Sequence, residues 1–337
     1  MFIITIDTGT TNTRVCLWNK YEFVASIQKP VGVRNTSIDG NNTQITQSIS
    51  DAFAELLLTQ KIDDSAIRLV LAAGMITSNL GLVEVPHLIA PAKKIDFSNG
   101  IHSEVIPAIC PQPIHFIPGL KNTANVSDRQ IEAVDFMRGE EVETIALLDL
   151  TQQKKSIVFI LPGSHTKIVA INDALEITGC CTSLAGELIS VITHNTILTS
   201  SLQDSFTAQL DRDYLQQGAE SCQRVGLTRS LFTIRTLEQT ANIDRDKLGS
   251  FLLGIVLSED IKALFTSSAL ALNKSARIGI YGNSPVSHGF KILLDARDPT
   301  VDCFMIEDKL SGNLSGYGSL LVAKSAGLME FQNLNVK

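Results

Sequence analysis

The chain has 337 residues, 44% of them hydrophobic and 19% charged, and carries a net charge of −7 at pH 7. That length suits one large or two ordinary domains with a substantial core. The acidic balance argues against nucleic-acid or membrane-surface partners, and no apolar run approaches the roughly 18 residues of a membrane span.

The opening residues carry the strongest local signal. A run of β-formers, Met1 to Ile6, enters Asp7-Thr8-Gly9-Thr10-Thr11-Asn12-Thr13-Arg14, and Val15-Cys16-Leu17-Trp18 leaves it, which predicts a hairpin. Met1 leads straight into a strand, so no signal peptide is expected. Asp7 stands at the tip of the first strand, where a carboxylate can hold a hydrated metal ion. Gly9 lets the backbone approach a ligand, and the N–H groups and hydroxyls of Thr8, Thr10, Thr11 and Asn12 suit phosphate oxygens. This layout fits ATP. It is not a P-loop, because no Gly-Lys-Ser/Thr follows and no helix opens after the glycine.

Further on, Glu22–Gln28 predicts a strand. Ile45, Ile49, Phe53, Leu56 and Leu57 have helical spacing. Ile67–Ala73 reads as a buried strand ending in Gly74-Met75, followed by the loop Ile76–Pro91, and Ile114–Ile117 as another strand. A helix start is expected near Ser127-Asp128, and a second helix after Arg138-Gly139-Glu140-Glu141.

The opening pattern then returns. Ser156–Leu161 runs into Pro162-Gly163-Ser164-His165-Thr166-Lys167 and leaves through Ile168–Asn172. With one gap, Gly163 falls on Gly9, Ser164 on Thr10, Thr166 on Thr13 and Lys167 on Arg14, while Leu161 takes the place of Asp7. Only the first hairpin offers the metal carboxylate. The repeat points to two domains grown from one plan. Helices are expected across 184–270, including Leu248–Phe265. Arg277–Tyr281 is a strand ending in Gly282-Asn283-Ser284-Pro285, a helix follows over Val286–Asp295, and the tail Gly312–Leu328 is largely helical. The six cysteines have no Cys-x-x-Cys spacing, which favours reduced thiols in the cytoplasm over disulfides or zinc.

Taken together, these motifs resemble the sugar kinase/Hsp70/actin superfamily and, within it, the 2-dehydro-3-deoxygalactonokinase family. The marks are Asp7-x-Gly-x-Thr-Asn-x-Arg14, Ala73-Gly74-Met75-Ile76-x-Ser78-Asn79, Ile117-Pro118-Gly119, Met137-Arg138-Gly139-Glu140-Glu141, Pro162-Gly163-Ser164-His165-x-Lys167 and Gly186-Glu187-Leu188. The likeness is looser beyond about residue 190. It implies an α/β, two-domain actin-like/ribonuclease H-like ATPase fold with an interdomain cleft that closes on substrate. The domains would be 1–150 and 151–315, with a C-terminal helix at about 316–333 packed back on the first.

The implied activity is ATP- and Mg²⁺-dependent phosphorylation of the C6 hydroxyl of 2-dehydro-3-deoxy-D-galactonate. The alternatives are a kinase for another sugar acid, such as 2-dehydro-3-deoxygluconate, or a non-catalytic regulator that binds nucleotide or sugar acid. Asp7 would bind Mg²⁺ through water. The 8–13 turn, with Gly163, Ser164 and Thr166, would hold the nucleotide's phosphates, and Lys167 or Arg14 would steady the transferring charge. Gly282 and Asn283 meet the adenosine by family analogy. Related kinases place an acid after a glycine at a helix start, so Glu140 is the expected general base and Glu141 the runner-up. Arg138, beside that base, is the first choice for the substrate carboxylate, and Gly74, Ser78, Asn79 and His87 are expected to wall the sugar site. The sequence is also compatible with a homodimer.

Overall fold

The computed structural model describes residues 2–123, 130–207, 209–270 and 277–330. They form two compact units. Residues 2–123, 136–153 and 309–330 make the first, and 130–135, 154–207, 209–270 and 277–308 the second. Residues 130–135, 151–153 and 309–315 therefore lie on the opposite sides of the division from those read in the sequence. The helix start expected at 127–128 falls outside the described residues.

The first unit opens with β1 (Phe2–Thr8), β2 (Thr13–Asn19), β3 (Glu22–Lys29), α1 (Val33–Asp39) and α2 (Thr43–Gln60). It continues through β4 (Ile67–Gly74), β5 (Leu88–Ile89), α3 (Lys94–Asn99), β6 (His102–Val105) and β7 (Pro113–Phe116). Then come β8 (Leu120–Lys121), β9 (Phe136–Met137) and α4 (Glu140–Leu150). Its main sheet has the order β3-β2-β1-β4-β7-β6, and β5, β8 and β9 form a separate small sheet.

The second unit holds β10 (Ile157–Leu161), β11 (Thr166–Ile171), β12 (Ile177–Ser183), α5 (Ala185–Asn195), α6 (Thr199–Leu202), α7 (Arg212–Val225) and α8 (Leu227–Ala241). It is completed by α9 (Arg245–Thr266), β13 (Arg277–Tyr281), α10 (Pro285–Arg297) and β14 (Cys303–Ile306). The chain then re-enters the first unit as α11 (Leu314–Ser325).

The sheet of the second unit, β12-β11-β10-β13-β14, repeats the plan of the first: an antiparallel three-strand meander whose first strand runs parallel to the next. The match extends to single residues. Leu161 faces Lys167 where Asp7 faces Arg14.

β1 is covered on both faces, so its sequence is apolar almost throughout. Ile4 and Ile6 pack with Ile45, Ile49, Phe53 and Leu56 of α2, while Ile3 packs with Trp18, Leu71 and the α11 residues Leu320 and Ala323. In the second unit α9 is buried on all sides over its apolar middle, residues 248–258. Close approach there depends on glycine: a β-carbon on Gly254 would lie 1.9 Å from the Leu215 carbonyl oxygen.

Besides the short helices α1 and α3, four features had no sequence signal: β6, β12, β14 and the small sheet. β12 reads Ile-Thr-Gly-Cys-Cys-Thr-Ser, without alternation. β6 is exposed along its length, and the strands of the small sheet are two residues long.

Candidate active site

The first hairpin turn closes with Gly9 N–H donating to Asn12 O at 2.8 Å. The start of α1 rests against it: Val33 N–H donates to Gly9 O and Arg34 N–H to Thr10 O. This contact needs Gly32, where a β-carbon would lie 2.5 Å from the Thr10 carbonyl. Thr10, Thr11 and Asn12 are exposed at the tip. Thr8 is not, because its side chain is wholly buried and accepts from the Thr13 hydroxyl at 3.2 Å. Its hydroxyl thus belongs to the hairpin's own structure, against the expectation that it would meet phosphate.

Asp7 is the last but one residue of β1, beside the end of β4 and in register with Ala73. Gly74 follows with φ +85°, and a β-carbon there would sit 2.7 Å from Asp7 Oδ1. Gly139, with φ +111°, caps the start of α4 against Gly74. Only glycine suits either place, because L side chains rarely adopt such φ values.

Burial lifts the Asp7 pKa to about 6, opposed by the nearby Arg14 and reinforced by Glu140. The Ser315 hydroxyl also lies beside Asp7 and eases its burial, but it has not formed a hydrogen bond of good geometry. Arg14 does not ion-pair with this carboxylate. It donates to Gly312 O and, at 3.2 Å, to Gln28 Oε1.

The two expected bases are in different settings. Glu141 is wholly buried, and both its oxygens accept from Gly139 N–H, at 2.9 and 2.8 Å. Burial and Glu140 push its pKa up to about 8. Glu140 is partly exposed and accepts from Arg138 N–H at 3.2 Å. Glu143 also joins the site, which the sequence reading missed. Burial, then Glu140 and Asp7, hold its pKa well above the ordinary carboxylate range. It lies one helical turn beyond Glu140 on α4, a spacing that could have flagged it.

Arg138 lies within the first unit with its guanidinium engaged. Nη1 donates to Thr77 Oγ1 at 2.6 Å, and Nη2 donates to Val85 O at 2.8 Å and to His87 Nδ1 at 3.3 Å. Burial, with Arg138 and Lys121 nearby, lowers the His87 pKa to about 4, so the ring is neutral. Ser78 is buried and donates to Met75 O, closing its own turn, whereas Asn79 is exposed.

In the second unit Gly163 and Ser164 are exposed on the hairpin turn. The start of α5 lies against them: Glu187 N–H donates to Ser164 O at 2.9 Å, and a β-carbon on Gly186 would fall 2.2 Å from Gly163 O. Thr166 is buried on the strand, not on the turn. Lys167 is also buried. Its ammonium donates to Thr182 Oγ1 at 2.5 Å, and Thr182 in turn donates to Asp135 through both its N–H and its hydroxyl. Gly282 turns with φ +87° at the end of β13, and Asn283 beside it is exposed.

Among the described residues no helix is long and apolar enough to cross a membrane. A family model of 2-keto-3-deoxy-galactonokinases matches residues 7–314. The 2-dehydro-3-deoxygalactonokinase of Escherichia coli (strain K12) is 26% identical over 267 residues, covering 77% of this chain and 80% of that one. A Sinorhizobium meliloti structure with a provisional 2-dehydro-3-deoxygalactonokinase assignment superposes with a TM-score of 0.74 at 17% identity, covering 99% of this chain and 100% of that one. Component A of the (R)-2-hydroxyglutaryl-CoA dehydratase of Acidaminococcus fermentans gives a TM-score of 0.51 at 11% identity over 97% and 99% of the two chains. These likenesses show an α/β, actin-like fold. The chain belongs to the 2-keto-3-deoxy-galactonokinase family, whose members are phosphotransferases of carbohydrate metabolism.

Proposed function

We propose that the chain transfers the γ-phosphoryl group of ATP to the C6 hydroxyl of 2-dehydro-3-deoxy-D-galactonate. The observation that carries this reading is the meeting of the α4 start with the end of β4 at Gly74, which brings Glu140 near enough for its charge to help raise the Asp7 pKa.

The donor set fits Mg²⁺. Asp7 lies near Glu140 and Glu143, while the Arg14 guanidinium donates elsewhere. Among the described residues no three His, Cys, Asp or Glu groups converge as a protein-only metal cage. Mg²⁺ needs none, since it usually keeps several waters and takes one or two carboxylates together with substrate phosphates. Bound at Asp7, it would neutralise charge on the phosphates.

The protein's own part is positioning and proton transfer. Glu140 accepts the proton of the attacking hydroxyl. Its partial exposure supports this choice over Glu141, whose two oxygens are both bonded to Gly139 N–H. The exposed turns at 9–12 and 163–164 each suit phosphate oxygens, and Asn79 and His87 contribute to the wall for the sugar acid. Gly282 and Asn283 are assigned to the adenosine. The test is ADP release from Mg-ATP with 2-dehydro-3-deoxygalactonate and 2-dehydro-3-deoxygluconate in parallel. Turnover that favours the galactonate form and is lost in Glu140→Gln supports the reading; no turnover with either acid refutes it.

A further inference from the structure

We propose that Arg138 is a positioning residue that fixes Glu140 against the end of β4, and that it is not a ligand of the sugar acid. This rests on the kinase reading above. The side chain and main chain of Arg138 hold two different parts of the site. Its guanidinium donates to Thr77 Oγ1, and the Thr77 hydroxyl donates to Gly74 O at 2.9 Å. Its backbone N–H donates to Glu140 Oε2. Arg138 thus links the glycine that flanks Asp7 to the carboxylate proposed as base.

The free hydrogens argue against a substrate role. A guanidinium grips a carboxylate with two parallel N–H bonds, on the edge formed by Nη1 and Nη2 or on that formed by Nε and Nη2. Both edges need Nη2, and the two Nη2 hydrogens already go to Val85 O and His87 Nδ1. Arg138 can only donate, so His87 accepts through Nδ1 and carries its proton on Nε2. The neutral ring keeps this bond intact across ordinary working pH. The stem is confined as well: a β-carbon on Gly119 would lie 2.7 Å from Arg138 Cγ.

Thr77 separates the two roles, because it is 0% exposed and cannot touch the sugar acid. Steady-state constants for both substrates are measured in wild type, Glu140→Gln, Arg138→Met, Thr77→Val, Thr77→Ser and the Arg138→Met/Thr77→Val double variant. Arg138→Met and Thr77→Val are each expected to lower kcat by roughly ten- to a hundredfold, the scale of a misplaced catalytic group. The KM for the sugar acid should move less than about threefold, because only an interaction made in the transition state is lost. The double variant should fall no further than the worse single one, as for members of one linked network. Thr77→Ser, which keeps the hydroxyl, should retain wild-type kcat.

A sugar-acid KM raised more than about tenfold in Arg138→Met with kcat kept would overturn the proposal, since it is the mark of lost uniform substrate binding. So would wild-type behaviour of Thr77→Val beside an impaired Arg138→Met, or equal impairment of Thr77→Ser and Thr77→Val. Turnover that survives Glu140→Gln, or that is absent from wild type, instead removes the base or kinase reading and this proposal with it.

Discussion

A β-carbon on Gly139 would lie 3.3 Å from the Cα of Gly74. The start of α4 and the end of β4 therefore meet backbone to backbone. This contact sets where Glu140 can stand relative to Asp7, and it crowds any side chain at Gly139.

Gly74→Ala should therefore harm both stability and activity. Its φ of +85° strains any L residue, and the new carbon would press on Asp7 Oδ1 and Thr8 O, each at 2.7 Å. Such strain costs about 1–3 kcal/mol. Urea unfolding should show that loss, and kcat should fall by at least about tenfold as Asp7 is displaced.

Asp7→Asn should raise the melting temperature of the ligand-free protein at pH 7.5 while abolishing turnover. The Asp7 pKa is raised in the fold to about 6 from 3.8, so ionising it disfavours the folded state. Stability is lost as pH climbs through that window, and Asn removes the loss. The advantage of the variant should vanish below about pH 4. Saturating Mg-ATP should stabilise wild type by about 2.7 kcal/mol at hundredfold excess over Kd, and the variant much less.

Asp260→Asn offers the same test in the second unit. Asp260 is 5% exposed on α9, one of its carboxylate oxygens has no hydrogen-bond partner, and burial lifts its pKa to about 6. The folded acid holds its proton more tightly than the unfolded one, so wild-type stability falls between about pH 4 and 7. Denaturation across that range should show the variant gaining on wild type by up to roughly 3 kcal/mol as pH rises.

Lys167→Met discriminates between a structural and a catalytic lysine. Lys167 is 4% exposed and bonded to Thr182, which is held by Asp135. Removing one member of a buried charged network costs about 3–5 kcal/mol. A lowered melting temperature with kcat largely kept is expected. A melting temperature like that of wild type with kcat lost would instead make Lys167 a participant in transfer.

Gly318→Ala tests the crossing of α11 over α4. A β-carbon there would fall 1.9 Å from Val142 O, so the helices must separate, at about 1–3 kcal/mol. Thermal unfolding reads this directly. The run Gly316, Gly318, Ser319 and Ala323 thus serves close packing inside one unit.

The sequence by itself determined the two hairpins and their correspondence, with Leu161 in the place of Asp7 and Lys167 in that of Arg14, the buried face of α2, the strand β13 and the glycine turns. These are local: chain direction, side-chain period and backbone freedom are set by residues a few positions apart. The Gly-acid pair at a helix start is likewise a short-range pattern, and through the family resemblance it put Glu140 ahead of Glu141 as the expected base. Tertiary structure alone decided which groups share the site. Arg14 is turned to Gly312 and Cys16 to Asn313, each nearly 300 residues away, and Ser315 comes beside Asp7. Thr77 meets Arg138 across 61 residues of chain. No local pattern reports such contacts, since they follow from which elements pack together. The same packing, by burying Glu141 and leaving Glu140 partly exposed, distinguishes two adjacent acids that the sequence left as alternatives.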